Sequence, residues 1–197
     1  GANLWQILFW RQIFFSIIVV LYLLIVYKKN FFKTFYESGL PGFVAGVFLS
    51  VGFASYVFAM YTTTVANTNF IITTETIFLA LLGYFFLKEK ISSITLISII
   101  LGMSGVLLIL GSSLSIQTSE QFIGNLVAFI MPISFAVLVM IVRKYPKVDM
   151  VPAQFTAGVC AAIIGLILAG KLSISFHDLT LAFLAGFFQI GFGFILI

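Results

Sequence analysis

The chain has 197 residues, of which 62% are hydrophobic and 8% are charged, and its formal net charge at pH 7 is +4. Soluble domains carry roughly 25% charged residues, so this composition excludes an ordinary soluble protein and predicts one that lies in a lipid bilayer. Nine of the ten Lys and Arg residues lie in short loops between apolar runs, which argues against a nucleic-acid partner. The single cysteine, Cys160, predicts neither a disulfide nor a metal site within this sequence.

Seven apolar runs follow one another along the chain, and each is about long enough to cross a hydrocarbon core of roughly 30 Å as a helix. They are Leu4–Tyr27, Leu40–Tyr61, Ala66–Leu87, Ile94–Gly111, Phe122–Val142, Val151–Gly170 and Leu179–Ile197. Continuous runs of this length favour helices over barrel strands, because the backbone must satisfy its own hydrogen bonds in lipid. The sequence therefore predicts an all-α polytopic membrane protein, a bundle of seven transmembrane helices, with a kink at Pro132.

Three of the loops between these runs are rich in lysine and arginine, and they alternate with loops that hold a single cation, Lys171. Cytoplasmic loops collect Lys and Arg. We therefore predict that the loops at residues 28–33, 88–90 and 143–147 are cytoplasmic and that the membrane is the bacterial inner membrane.

The two ends of the chain and an internal repeat indicate that further helices flank this segment. The sequence opens on Gly1 instead of Met and stops at Ile197 inside an apolar run. Phe43-Val44-Ala45-Gly46 recurs as Phe183-Leu184-Ala185-Gly186, an odd number of runs later, so the two copies would cross the membrane in opposite directions. This pattern is typical of an inverted repeat with five helices in each half.

The stretch Thr64–Ser112 resembles the end of the first repeat of an EamA-type carrier of the drug/metabolite transporter superfamily. Leu87-Lys88-Glu89-Lys90-Ile91-Ser92 matches the Lys/Gly-Glu pair that closes a helix in that family, and Gly102 and Gly105 match glycines of the next helix. Gly124-Asn125-Leu126-Val127-Ala128 resembles the opening of the second repeat. Thr76 stands where the family commonly has proline, so the sequence lacks the residue that usually breaks this helix.

This resemblance implies a ten-helix, inverted-repeat (5+5) transporter of which the first and the last two helices are absent. Residues 1–112 would hold helices 2–5 of that plan, and residues 113–197 would hold helices 6–8.

Small residues recur three or four positions apart on several runs and predict close helix packing, because lipid offers no hydrophobic drive for association. The residues are Gly42 and Gly46 in the second run, Gly102 and Gly105 in the fourth, and Ala157, Ala161 and Gly165 in the sixth. The alternative reading is that some of these stripes are sliding surfaces during alternating access.

Glu75 lies near the centre of the third run, beside Thr68 on a helical wheel. A charged side chain there costs about 2.5–3.5 kcal/mol on the lenient insertion scale, so it is expected to face the bundle interior. We predict that Glu75 couples transport to H⁺ or serves as a counter-charge to a substrate amine. The alternative is a protonated glutamic acid with a structural role.

Other polar residues within the runs are weaker candidates for substrate contact. Arg11 either reaches the outer interface, which Trp5 and Trp10 mark, or closes a cavity and pairs with an acid such as Glu75. Four neutral amides serve either helix-to-helix hydrogen bonds or a ligand. They are Asn67, Asn125, Gln154 and Gln189.

Enzyme motifs are missing from the sequence: it has no HExxH, GxSxG or GxxxxGK[ST] pattern, and His177 is its single histidine. We therefore predict no enzyme activity, no metal and no cofactor. The predicted function is a secondary transporter of small organic metabolites, such as amino acids, that works by alternating access and is coupled to H⁺. A channel-like pore or a non-transport membrane protein is the alternative, and a homodimer is left open.

Overall fold

The computed structural model describes residues 1–113 and 118–193, and every regular element in those ranges is helical. The elements are α1 (Leu4–Tyr27), a 3₁₀ turn (Lys28–Asn30), α2 (Phe31–Thr62), α3 (Val65–Ile72), α4 (Glu75–Leu87), α5 (Ser93–Ser113), α6 (Ser119–Ala128), α7 (Ile130–Lys144), α8 (Val151–Ala169), α9 (Phe176–Phe183) and a π-helix (Leu184–Phe192). The prediction of an all-α membrane protein is confirmed.

Within the described ranges, four helical stretches are long and apolar enough to cross a bilayer: Leu4–Thr62, Val65–Leu87, Ser119–Lys144 and Val151–Ala169. Ser93–Leu108 and Phe176–Phe192 are shorter apolar helices. The count of seven spans stays a prediction. Residues 194–197, which end the run predicted at Leu179–Ile197, and residues 114–117, which follow the predicted repeat boundary, lie outside the described residues.

The chain forms two compact units, Gly1–Ala54 with Tyr145–Ile197, and Ser55–Lys144. We refer to them as the α1–α8 unit and the α3–α7 unit.

In the α1–α8 unit, α1 packs against α8, α9 and the π-helix. Glycines let these backbones touch, because a Cβ atom at Gly165 would lie 2.8 Å from the Phe9 amide nitrogen. A Cβ atom at Gly46 of α2 would likewise lie 2.6 Å from the carbonyl oxygen of Ala153 on α8. Such close approach gives the van der Waals contact on which helix association in lipid depends.

The first end of α1 is fastened by side-chain hydrogen bonds. Asn3 caps the helix by accepting from the amides of Trp5 and Gln6, and the Gln6 side chain accepts from the Asn3 amide in return. The Gln6 Nε2 atom also donates to the carbonyls of Lys171 (2.8 Å) and Ser173 (3.1 Å), which precede α9. Trp10 Nε1 donates to the carbonyl of Leu172 at 2.9 Å. These bonds tie α1 to the segment between α8 and α9.

At its other end α1 meets a short helix that the apolar pattern did not predict. Gly39 has φ +49° and ψ −149° inside α2, so Phe31–Ser38 is separated from the apolar part that begins at Leu40. A residue with a side chain rarely adopts a positive φ, which is why glycine occupies this position. Phe32 and Tyr36 of the short helix are 82% and 88% exposed. The Tyr27 hydroxyl donates to Asp149 just before α8.

The α3–α7 unit is built around two apolar stretches that are each broken in the middle. α3 and α4 make the first stretch, α6 and α7 make the second, and α3 packs on α6 while α4 packs on α7. Ala59, Ile71 and Ala128 form a buried cluster with Phe129 against it.

Candidate functional site

The break between α3 and α4 falls at Thr73 and Thr74, in the middle of the stretch Val65–Leu87. The amide of Thr73 donates to the Phe70 carbonyl at 3.2 Å and that of Thr74 to the Ile71 carbonyl at 3.0 Å, three residues back instead of four. The hydroxyls of Thr73 and Thr74 donate to the same two carbonyls at 2.6 Å each. Each of these two carbonyls therefore accepts two hydrogen bonds, one from a backbone amide and one from a threonine hydroxyl.

Glu75 is the first residue of α4, directly after this break. The amino end of a helix carries partial positive charge, so the start of α4 is complementary to a carboxylate. In residues 1–113 and 118–193, no hydrogen bond or ion pair to the Glu75 carboxylate is observed. A partly buried carboxyl at a mid-span helix terminus is suited to binding a proton or a cationic group.

Two of the predicted polar residues lie in the neighbouring half-helix, α3. Thr68 is fully buried and its hydroxyl donates to the Thr64 carbonyl at 3.1 Å. Asn67 is buried, and its backbone amide is capped by the Thr64 hydroxyl at 3.1 Å. These side chains therefore share the half of the broken stretch that precedes Glu75.

Asn125 of α6 is also buried in the α3–α7 unit. Its Oδ1 atom accepts from the Thr63 hydroxyl at 2.7 Å, whereas its Nδ2 atom has no partner among the described residues. The second break lies four residues further on, where α6 ends at Ala128 and α7 begins at Ile130. The interruption thus precedes Pro132, the residue at which the sequence predicts a kink.

Two cavities in this unit lie along α4. The smaller one, of about 110 Å³, is lined at the break by Thr73, Thr74 and Thr76 and on α5 by Ser98 and Gly102. A Cβ atom at Gly102 would lie 3.7 Å from Ile77 Cδ1, and one at Gly105 would lie 3.5 Å from Phe70 Cζ, which are ordinary contact distances.

The larger cavity, of about 270 Å³, extends along α4 to the segment that follows it, and its lining includes Thr76, Glu89, Lys90, Thr95 and Arg143. Arg143 Nη1 donates to Glu89 Oε2 at 3.2 Å, with both side chains about half exposed. The acidic residue of the Lys-Glu pair thereby joins the end of α4 to the end of α7.

The remaining predicted residues lie in the α1–α8 unit. Arg11 is 6% exposed in the middle of α1. Gln154 on α8 is partly buried, and Gln189 on the π-helix is exposed. Arg11 and Glu75 belong to different units.

Helix-packing candidates in the α1–α8 unit are buried. Ala157 and Ala161 of α8 are fully buried, Gly165 lies against Phe9, and Gly42 lies against Ser38 and Met150.

Several polar groups in the structure were not predicted as site residues. Thr63 and Thr74 belong to this set, as do Gln12 and Ser16 on α1, which are buried and lack hydrogen-bond partners among the described residues. The spacing of Gln12 and Ser16, one helical turn apart, is the sequence signal that could have indicated them. In the described part of the chain, no group of three or more His, Cys, Asp and Glu side chains is placed to hold a metal ion.

Comparison with known proteins adds to this geometry. The model of the EamA-like transporter family matches residues 1–111, more than half of the sequence. The chain belongs to the EamA-like transporter family. Two similar curated proteins are both described as S-adenosylmethionine uptake transporters: one from Rickettsia conorii, 28% identical over 185 residues, and one from Rickettsia bellii, 27% identical over 185 residues.

Each alignment covers 92% of this EamA-like chain but only 60% and 61% of the two relatives, so the chain spans about three fifths of their length. No solved structure matches the chain.

Proposed function

We propose that the protein to which this chain belongs is a secondary transporter that carries a small organic solute across the membrane by alternating access. The observation that carries the proposal is the break at Thr73–Thr74. Because of this break, α4 begins at Glu75, in the middle of a stretch long and apolar enough to span a membrane. Secondary transporters characteristically bind solutes and coupling ions at the ends of such discontinuous helices. Membership of the EamA-like family supports the same activity.

The architecture we propose is ten helices in two inverted halves of five, of which this chain supplies seven. Helical segments are found within each of the seven apolar runs, as far as residues 113 and 193. Residues 1–112 would belong to the first half and residues 113–197 to the second. The basic segments at 28–33, 88–90 and 143–147 would face the cytoplasm, which fits a bacterial inner-membrane orientation. The first and third were predicted as loops, but residues 28–33 are helical and α7 extends to Lys144.

The first solute to test is S-adenosylmethionine, because both relatives named above are described as its uptake transporters. It carries an α-amino acid group, so it belongs to the class of amino acids and related solutes that the sequence predicts. Asn67, Thr68 and Asn125 would supply neutral hydrogen bonds to a solute near Glu75. Arg11, Gln154 and Gln189 are further candidates for solute binding or coupling, and they belong to the α1–α8 unit.

Glu75 is the residue to which we assign H⁺ coupling. The test uses the full-length protein in proteoliposomes, with uptake of radiolabelled S-adenosylmethionine measured with and without a pH gradient. Glu75→Gln is expected to lower gradient-driven uptake by at least about tenfold, because proton relays in membranes depend on such carboxyl groups. Normal uptake by folded Glu75→Gln protein would overturn the assignment.

Glu120→Gln is the matched control, because Glu120 also lies in the first turn of a helix, α6, but is exposed. It should transport within about twofold of wild type, since exposed substitutions have little effect. Counterflow and saturation in the same vesicles separate a carrier from a channel-like pore, which shows neither, and from a non-transport protein, which gives no flux.

A further inference from the structure

α1 carries an amide in the middle of its most buried stripe. One face of α1 is apolar and almost completely buried, and it consists of Leu8, Phe15, Val19 and Leu23. Gln12 lies on this face between Leu8 and Phe15 and is 0% exposed. Neither Gln12 Oε1 nor Gln12 Nε2 has a hydrogen-bond partner among the described residues. A buried amide without partners destabilises a fold, so an aliphatic residue would serve packing better at this position. Gln12 therefore points to a ligand.

Ser16 lies one turn further along the same helix and is 7% exposed, and its Oγ atom also lacks a partner in the described part of the chain. A helical hydroxyl ordinarily donates to the carbonyl four residues back. In this structure other helical hydroxyls do so, namely those of Thr34, Thr62, Ser98 and Thr156. The Ser16 hydroxyl does not, which leaves it available to a second molecule.

Gln12 and Ser16 lie in the interior of α1, away from both of its ends. At a rise of 1.5 Å per residue, they lie roughly 12 Å and 18 Å from the start of α1, in a helix roughly 36 Å long. Secondary transporters place their solute sites in the interior of membrane-spanning helices, near the bilayer midplane.

Two other elements flank this part of α1. The α1 surface at Arg11 contacts Gly186 of the π-helix, and the surface at Ser16 contacts Gly158 of α8. Gln12 falls between these two surfaces on a helical wheel of about 100° per residue. Arg11 itself is buried and adds a positive charge one residue from Gln12.

The side chains of Arg11, Gln12 and Ser16 suit a ligand that carries a carboxylate and an ammonium group. A guanidinium, an amide N–H and a hydroxyl are donors suited to a carboxylate, and the Gln12 Oε1 atom can accept from a neighbouring ammonium. We propose that Gln12 and Ser16, together with Arg11, bind the α-amino acid group of the transported solute, with the carboxylate on the donors. The proposal rests on the transport function proposed above and assigns the solute's head group to the α1–α8 unit.

The first experiment measures selectivity with the full-length protein in proteoliposomes. S-adenosylmethionine and its decarboxylated analogue compete against labelled S-adenosylmethionine. Wild type should prefer the carboxylated compound by at least about tenfold, because a site built to hydrogen-bond a group rejects an analogue that lacks it. The double variant Gln12→Leu with Ser16→Ala should raise KM and reduce the preference below about threefold. Ser104→Ala, an exposed helical serine on α5, is the control and should keep wild-type selectivity. Unchanged selectivity in the double variant overturns the proposal.

The second experiment does not depend on flux or on the identity of the solute. Ser16→Cys is placed in a Cys160→Ala background. Modification of the new thiol by a methanethiosulfonate reagent that carries a negatively charged sulfonate group is followed by mass spectrometry. Modification should occur, and S-adenosylmethionine or L-methionine should protect the thiol whereas methioninamide should not. An unreactive thiol, or equal protection by the amide, overturns the proposal. Protection by L-methionine alone keeps the site and removes S-adenosylmethionine as the solute. Protection without any flux keeps the site and overturns the transport function.

Discussion

Two glutamines on α1 have opposite environments, although both are buried. Gln6, near the start of the helix, donates to the carbonyls of Lys171 and Ser173 and accepts from the Asn3 amide. Gln12, in the middle, has no partner for either side-chain atom among the described residues. The same helix is therefore fastened by polar contacts at its ends and left unsatisfied at its centre. The Gln6 side chain therefore stabilises the fold through its hydrogen bonds, whereas the Gln12 side chain makes no such contribution among the described residues.

The largest expected effect comes from filling the close contacts along α1. Gly165→Ala puts a Cβ atom 2.8 Å from the Phe9 backbone nitrogen, which cannot move aside. Gly158→Ala meets mainly the side chains of Ser16 and Phe15, which can adjust. Overpacking costs about 1–3 kcal/mol, so Gly165→Ala should lose about 3 kcal/mol of unfolding free energy and Gly158→Ala about 1 or less. Denaturant unfolding in detergent measures both, and equal losses would contradict the distinction between end and centre.

The next effect comes from Gln6→Leu, which removes the bonds that fasten the first end of α1. It leaves the carbonyls of Lys171 and Ser173 unpaired, and we expect a loss of about 1–3 kcal/mol in the free energy of unfolding. Gln121→Leu is the matched control, because Gln121 closes the same kind of capping box with Thr118 on α6 and has no bond to another segment among the described residues. Its loss should be under about 1 kcal/mol.

A smaller effect is expected at the other end of α1. Tyr27→Phe removes the hydroxyl that donates to Asp149, and we expect it to cost about 1 kcal/mol in unfolding free energy. Tyr36→Phe, at a side chain 88% exposed in the short helix, should leave stability unchanged. Thermal unfolding of the two variants in one detergent compares them directly. A larger loss for Tyr36→Phe would show that the short helix matters more than this bond.

The smallest change, and one of opposite sign, is expected for Gln12→Leu. This is the same substitution as Gln6→Leu on the same helix. Because it removes an unsatisfied buried amide, the free energy of unfolding should stay constant or rise by up to about 1 kcal/mol. The measurement is again denaturant unfolding in detergent. A loss as large as that of Gln6→Leu would mean that Gln12 has a structural partner.

Much of the fold could be predicted from apolar patterning. The run Leu4–Tyr27 coincides with α1, and the run predicted at Val151–Gly170 ends one residue beyond α8. Long uninterrupted apolar runs define such helices because lipid requires internal hydrogen bonding. The short helix Phe31–Ser38 was not predicted, because its aromatic residues alternate with polar ones and it has too few residues to span a bilayer.

The break at Thr73–Thr74 could not be predicted, since neither proline nor glycine stands there. Threonine is compatible with a continuous helix, and the interruption is visible only in the structure, where the amides of Thr73 and Thr74 donate to carbonyls three residues back. The sequence indicated Glu75 as a candidate site residue, because placing a charged side chain inside an apolar run costs free energy. It could not show that Glu75 is the first residue of a helix. The spacing of Gln12 and Ser16 places them on one face of α1, but it does not tell that their side chains lack partners, which the structure shows for the described residues.

The interruption at Thr73–Thr74 also has a mechanical consequence. Amide donation to the carbonyls three residues back, at 3.2 Å and 3.0 Å, replaces the regular α-helical ladder at this point. A change in the angle between α3 and α4 would therefore be opposed here by fewer regular α-helical backbone bonds than in the rest of the stretch. The stretch Val65–Leu87 therefore consists of two helices with a hinge between them. Bending at this hinge would reorient the Glu75 carboxylate while α3 and α4 each remain helical.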